Sequence, residues 1–376
     1  MLTHNHVENW FSQSSPLDMT RTMPPNIVGF ETRMRGALEH VARQSDFAFL
    51  IQRHRFFGSD NERNSVAKWL ARRLGDTPDI ARTLITGGTQ NTLMILLRGL
   101  VGSGGVLATE KFTYAAIGQL GRLLGIEVVG IELDDDGLVP ESLEAACQQH
   151  NVVALYCNPT CHNPTTSIMS SERRLALAEI AERFDITIFE DDVHGAITDD
   201  APPPLATFAP DRTWYIMSTS KLIGMGLRAA FIVGPNIEAV ANMQKKLPSV
   251  SAWFVPGMSA VIVADLIDRG DADEFASRIR AEVASRHELM KSIIQPIELV
   301  HSHHSSLHIW VDLPARWTIH SFVEAAGAEG ITLRNPAVFA TAGFEITRNI
   351  RLSLVAPKSQ DDLSWGLERI NRLLRA

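Results

Sequence analysis

In the segment STSKLIGMGLR, Ser218 to Arg228, a lysine stands just after an apolar run of strand character, beside two serines and seven positions before an arginine. A carbonyl cofactor bearing a phosphate would require this set: Lys221 to form an imine, and Ser218, Ser220 and Arg228 to hold the phosphate, with Arg228 as a charge-assisted donor. A loop lysine in water would present the same residues. In IFEDDVHG, Ile188 to Gly195, two acids close a second apolar run. Buried acids require a cation or hydrogen bonds, and a protonated pyridine nitrogen is one such cation. An aspartate there keeps the nitrogen protonated, so that the ring can act as an electron sink for a carbanion. A metal site or a helix N-cap would use the same residue types. ITGGTQNTLMILL, Ile85 to Leu97, combines a strand end, two glycines and a helix start. Its backbone N–H groups, with Thr89 and Gln90, suit a phosphate, although a Gly-Gly turn is also ordinary loop punctuation. NPTCHNPTT, Asn158 to Thr166, reads by itself as a turn after a strand.

These segments need a scaffold, and the period of the apolar residues describes one. Short β-branched runs recur at Val106 to Glu110, Val128 to Leu133, Val152 to Cys157, Ile186 to Asp192, Thr213 to Ser218 and Ala229 to Gly234. Helical patterns separate most of them, such as Ser171 to Phe184, which Ser171 could cap. Strands apolar on both faces with crossover helices predict an α/β fold with a mostly parallel, buried sheet. The reading divides the chain into an N-terminal arm and first helix (1–44), a large domain (45–268), and a connecting helix with a smaller α+β C-terminal domain (269–376). Trp253 to Ile267 is apolar enough to look membranous, but its Pro-Gly and Asp265 predict a buried helix instead.

The chain has 376 residues, 45% hydrophobic and 21% charged, with a net charge of −8. It shows no basic run interleaved with aromatics, no leader pattern and no apolar stretch approaching the ~20 residues of a spanning helix. A small ligand, no nucleic acid, no membrane and a cytoplasmic location are therefore expected. The three cysteines suit reduced thiols better than a disulfide framework. Cys157 and Cys161 lack a second ligand pair, and His301, His303, His304 and His308 read as a loop and the strand it enters, so no metal is expected.

Taken in order and spacing, the four segments resemble the fold-type I pyridoxal-phosphate enzymes of the aminotransferase class I/II family. The patterns LDDDGLVPESLEAA, LHIWVDLP and IRLSLVAP are most similar to the aminotransferase-like domain of MocR-type GntR regulators and to related free-standing aminotransferases. The resemblance implies that Lys221 is the Schiff-base lysine, that Asp191 partners the pyridine nitrogen, and that Asn163 bonds the phenolic oxygen of pyridoxal 5'-phosphate. It also implies that Thr89, Gln90, Ser218, Ser220 and Arg228 form the phosphate cup, that Tyr114 stacks on the ring, and that Arg351 clamps the substrate α-carboxylate. Amino acid and 2-oxo acid would be the partners, in a homodimer with active sites at the interface. The polar arm Met1 to Pro25 is expected to gain order on the partner subunit, and the pocket to be lined by Pro25 to Phe30, Phe57 and Asn335 to Phe339.

Three departures stand out. His194 replaces the tyrosine usual on the phenolic oxygen, as also happens in C–S lyases of the cystalysin type. Thr166 replaces the glycine of Asn-Pro-Thr-Gly. Phe57 replaces the tyrosine that in relatives reaches the neighbouring subunit's phosphate, and a phenyl ring cannot donate. Transamination, another carbanion reaction such as β-elimination, and a ligand-sensing role remain the readings to separate. The sensing role is disfavoured by the roughly 25 residues ahead of the first helix, too few for a winged helix-turn-helix.

Overall fold

The computed structural model describes residues 16–53, 55–247, 255–346 and 348–376. Fourteen strands follow one another among these residues: β1 Leu17–Asp18, β2 Thr83–Thr86, β3 Val106–Glu110, β4 Glu127–Ile131, β5 Leu133–Asp134, β6 Gly137–Leu138, β7 Val152–Cys157, β8 Thr187–Asp191, β9 Thr213–Ser218, β10 Ala230–Val233, β11 Val300–His301, β12 His308–Asp312, β13 Ile331–Thr332 and β14 Asn349–Ser353. Seven of them form one sheet in the order β2-β10-β9-β8-β7-β3-β4. Only β10 runs antiparallel to its neighbours, and the β7–β8, β8–β9, β3–β7 and β3–β4 pairs are parallel.

Both faces of this sheet are covered, which explains strands without polar alternation. Successive residues of β9 point to opposite sides: Trp214 and Ile216 join a core with Leu84, Tyr156 and Phe189, whereas Tyr215 and Met217 join one with Ile85, Phe231 and Val263. The helix Gly257–Asp268 lies in the second of these cores, buried as its sequence predicts, while Trp253 and Phe254 fall outside the described residues. Ser170, one residue earlier than expected, caps the helix Ser171–Arg183 by accepting from the Arg173 N–H at 3.2 Å.

A second sheet, β11-β12-β14, packs with the helices Ile319–Ala328 and Gln360–Arg375 around Ile309, Ile350, Phe322 and Leu367. The 23-residue helix Asp271–Ile293, about 34 Å long at 1.5 Å per residue, serves both cores. Its Phe275, Ile279 and Val283 belong to the core of Tyr215 and Val263, and its Met290 to the core of the second sheet.

The N-terminal arm corrects an expectation. Leu17 and Asp18 pair in parallel with Ile331 and Thr332, and Met19 is fully buried against β14 of the same chain. This stretch is therefore ordered by its own chain. Residues 1–15, the rest of the predicted arm, lie outside the described residues.

Candidate active site

Parallel strands aim their carboxyl ends at one edge of a sheet, and ligands of open α/β sheets collect there. Register places the chemistry of this chain on that edge. Thr86, Ala230 and Ser218 lie in one row across β2, β10 and β9, and Asp191 ends β8 beside Ile216. A cavity of about 330 Å³ opens above them and is lined by Thr89, Gln90, Tyr114, Asn163, Asp191, His194, Ser218, Ser220, Lys221, Arg228 and Arg351. Thus every predicted site residue except Phe57 faces one space.

Lys221 ends the single 3₁₀ turn Thr219–Lys221, whose start Ser218 caps by accepting from the Ser220 N–H at 3.2 Å. Its Nζ donates to the Thr22 carbonyl at 2.6 Å and to the Thr22 hydroxyl at 3.0 Å. Burial, then the nearby Arg351 charge, brings this ammonium down to about 8.

Asp191 ends β8 and Asp192 follows it directly, its N–H still bonded to the Ile216 carbonyl of β9, so the two side chains face opposite ways. Asp191 faces the cavity, where Tyr156 Oη donates to its Oδ2 at 2.9 Å while Oδ1 is buried without a hydrogen-bond partner. Burial pushes this carboxyl up to about 7. Asp192 turns away, accepting from Arg73 Nε at 2.9 Å and from Tyr215 Oη at 2.8 Å. Asp192 is thus already neutralised, and Asp191 lacks a cation.

The first Asn-Pro proves to be structural support rather than a bare turn. Asn158 donates from Nδ2 to the Asp191 carbonyl and accepts from the Asn163 N–H at 3.1 Å, so it ties the acid's strand to the second Asn-Pro. Asn163 Oδ1 in turn accepts from Arg351 Nη1 at 2.7 Å. Arg351, on β14, is only 5% exposed. Its Nη2 donates to the Thr20 carbonyl at 2.5 Å, its Nε has no partner, and its guanidinium lies 4.7 Å from the Phe339 ring centroid. No carboxylate among the described residues pairs with it, and burial beside Arg334 brings it down to about 10. A buried cation so placed calls for an anionic ligand.

The phosphate-type donors gather where the helix Thr89–Leu96 begins. Gly88 there has φ 93°, a left-handed value that suits glycine, and a Cβ at Gly88 would lie 3.6 Å from Arg228 Cζ. Gln90 Nε2 donates to Tyr114 Oη at 3.1 Å and so fixes the ring at the cavity wall. His194 is buried, and neither of its ring nitrogens has a hydrogen-bond partner. Burial brings it down to about 3, so it sits neutral, with the ring of His308 centred 6.4 Å away.

Three expectations change. Phe57 does not line the cavity: it is buried with Leu84 and Leu93, and its carbonyl accepts from the Ile85 N–H at 3.0 Å. An apolar ring gains more from this core than from a polar phosphate site, so the tyrosine's role does not transfer with the position. At the N-terminal wall, Thr20, Arg21, Thr22 and Met23 take the place expected of Pro25 to Phe30, and Phe30 packs 5.1 Å from Phe275. Of Asn335 to Phe339, only Phe339 lines the cavity, with Arg334 just before it. The sequence reading also missed Tyr156, Asn158, Thr20 and Thr22. Only Asn158 carried a signal, as the first half of the doubled Asn-Pro.

The residues present fit pyridoxal 5'-phosphate: an orphaned buried carboxylate oxygen for a ring N–H, an amine of lowered basicity for the carbonyl, and Thr89, Ser218, Ser220 and Arg228 for the phosphate. Residues 33–370 match the family model of aminotransferase class I and II, and the chain belongs to that family, whose cofactor is pyridoxal phosphate. It is 27% identical over 337 residues to the uncharacterized HTH-type transcriptional regulator YdeF of Bacillus subtilis, covering 90% of this chain and 72% of that one. It is 24% identical to aromatic-amino-acid aminotransferase 1 of Thermococcus litoralis, over 97% of this chain and 88% of that one. Three regulators of this kind are spanned by the chain over 72%, 65% and 60% of their length. Among solved structures, the kynurenine aminotransferase of Pyrococcus horikoshii superposes with a TM-score of 0.84 at 22% identity, over 99% of this chain and 93% of that one. The fold is therefore that of the fold-type I aminotransferases.

Proposed function

We propose that the chain is a pyridoxal-phosphate-dependent aminotransferase that moves an amino group between an L-amino acid and a 2-oxo acid, acting as a cytoplasmic homodimer. The observation that carries this reading is a single cavity in which the Lys221 amine stands between the unpartnered Asp191 oxygen and the uncompensated Arg351 guanidinium. When bound, the cofactor supplies an electron sink for the negative charge that develops at the substrate's Cα.

The chain's own groups do the rest. Arg351 receives the α-carboxylate through its free Nε and the Nη2 now spent on the Thr20 carbonyl, so binding exchanges a neutral acceptor for an anionic one. Lys221, at about 8, is unprotonated in a useful fraction of molecules at neutral pH, so Nζ is the group that would hold the cofactor's carbonyl and could take the substrate's Cα proton. Asp191 Oδ1 is the atom that would accept from a protonated ring nitrogen, whose charge would hold the carboxyl ionised against the pull of burial. Tyr156 keeps that carboxylate in one orientation. Tyr114 would cover the ring face, and Arg228 with Thr89, Ser218 and Ser220 would anchor the phosphate and so keep the cofactor in reach of Nζ.

Support for the dimer comes from Phe49, Ile51 and Phe56, exposed by 47%, 58% and 60% in one short stretch. No helix among the described residues is long and apolar enough to cross a membrane. The experiment is an amino-donor screen in which 2-oxo acid production is followed with and without an amino acceptor. Strict dependence on the acceptor supports transamination. A second reading, β-elimination, is favoured by His194, which offers a neutral imidazole where a phenol is usual; it requires acceptor-independent 2-oxo acid together with released ammonia and, from a sulfur-bearing donor, the thiol. A gel shift with genomic fragments tests the sensing role that the regulator relatives suggest.

A further inference from the structure

Among the described residues, one group outside the cavity brings three metal-ligating side chains together, and the sequence reading had set its histidines aside as a loop. Asp200 follows the 3₁₀ turn Gly195–Ile197, downstream of Asp191 and His194, and His303 and His304 lie in the turn between β11 and β12. Asp200 Oδ2 is 3.3 Å from His303 Nε2 and 3.8 Å from His304 Nε2. The two imidazole rings are centred 4.2 Å apart.

An ion pair explains this arrangement poorly. Both imidazoles converge on the same carboxylate oxygen, and if both were charged at that separation they would repel each other. A metal ion satisfies all three groups at once. Bonds of about 2.0–2.2 Å in a tetrahedron put donor atoms about 3.3–3.6 Å apart; the Asp200–His303 separation already fits, the Asp200–His304 separation needs to close by a few tenths of an ångström, and the ligand atoms of all three residues lie within 4.8 Å of one another. Two nitrogens and one carboxylate oxygen select a first-row transition ion over Mg²⁺ or Ca²⁺, which prefer all-oxygen shells.

The surroundings are built for the purpose. The His303 carbonyl accepts from the Ser306 N–H at 2.8 Å, and His287 Nε2 bonds the Ser306 carbonyl at 2.8 Å, so the turn is held from behind. Coordination through Nε2 requires the proton on His303 Nδ1, where Cys161 Sγ stands 3.8 Å away as acceptor; the 3.3 Å contact from the Ser305 N–H is then given up. Asp199 beside the site is engaged by Arg280 at 3.6 Å, so that arginine does not compete for Asp200.

We infer that Asp200, His303 and His304 bind one divalent transition ion, Zn²⁺ foremost, and that this ion staples the three-stranded sheet carrying Arg351 to the loop that follows Asp191 and His194. Waters complete its coordination, since the protein offers three ligands and the site opens to solvent. Because Cys161 lies two residues before Asn163 and touches the outer side of His303, the staple also bears on the second Asn-Pro. It holds the smaller sheet to the site-bearing loop without taking part in the chemistry.

The test uses the cofactor-loaded protein titrated with Zn²⁺, and with Co²⁺ for its visible spectrum. One equivalent per chain should bind, raise the thermal midpoint, and give Co²⁺ d–d bands without a thiolate charge-transfer band. Asp200→Asn should weaken binding at least tenfold and remove the thermal shift. The double variant His303→Ala/His304→Ala should abolish both, and His301→Ala should change neither. Zn²⁺ bound as tightly by the double variant, or a thiolate band with Co²⁺, overturns the site. Binding that needs the two histidines but ignores Asp200 overturns the staple.

Discussion

Replacing Arg351 with lysine keeps the positive charge and removes the fork. In the structure Nη1 is committed to Asn163, so an incoming α-carboxylate is left with Nη2 and the unpartnered Nε. A lysine ammonium on the same strand can satisfy Asn163 or the carboxylate but cannot present two parallel donors to the latter. One charge-assisted bond is lost, at about 1.5–3 kcal/mol, which corresponds to roughly ten- to a hundredfold in KM at 1.4 kcal/mol per decade. Since every amino acid carries the α-carboxylate, the factor should be similar for acidic, aromatic and aliphatic donors. Steady-state kinetics across such a panel measures it. A loss confined to acidic donors would place Arg351 at the side-chain end of the pocket and refute the assignment.

Asp191→Asn should lower kcat by at least about a hundredfold while changing cofactor affinity far less, because the missing charge matters most as the carbanion develops; an unchanged rate would shift the role to another group. Arg73→Met should cost about 3–5 kcal/mol in chemical denaturation, since it strands the fully buried Asp192 with only Tyr215, and a loss below about 1 kcal/mol would show that the pair is dispensable. Lys221 falls from 10.5 unfolded to about 8 folded, so in cofactor-free protein the folded state binds fewer protons between those values and unfolding free energy rises with pH across that window. The cost of holding Lys221 charged, on the order of 3 kcal/mol below pH 8, should vanish in Lys221→Met, which makes the difference between the two proteins shrink from pH 8 to pH 10.5. A difference independent of pH would mean that Lys221 is not desolvated.

The strands of the seven-stranded sheet were readable because each is a short apolar run, buried on both faces in all but the half-buried edge strand β4, and the loop residues at their ends were readable because polar and glycine residues interrupt those runs. Asp191 and Asp192 illustrate where sequence stops. Two adjacent acids look equivalent in the string, and only the pleat, with Arg73 and Tyr215 on one side and the cavity on the other, tells them apart. Thr20 and Thr22 were invisible for a different reason: their placement depends on β1 pairing with β13, a contact between the two ends of the chain that no local pattern encodes. Phe57 was expected at the pocket wall and packs with Leu84 and Leu93 instead, because an apolar ring in the string does not tell a core from a cavity lining. Asp200 and the His303–His304 pair come together only in the fold, since residues from different loops show no spacing rule.

Whether Lys221 holds the cofactor is tested most directly by borohydride reduction of the loaded protein followed by peptide mass spectrometry. The reduced cofactor should be recovered on the peptide containing Lys221 in the wild-type chain and on no peptide of Lys221→Ala. Recovery on another lysine, or covalent attachment that persists in Lys221→Ala, would contradict that assignment.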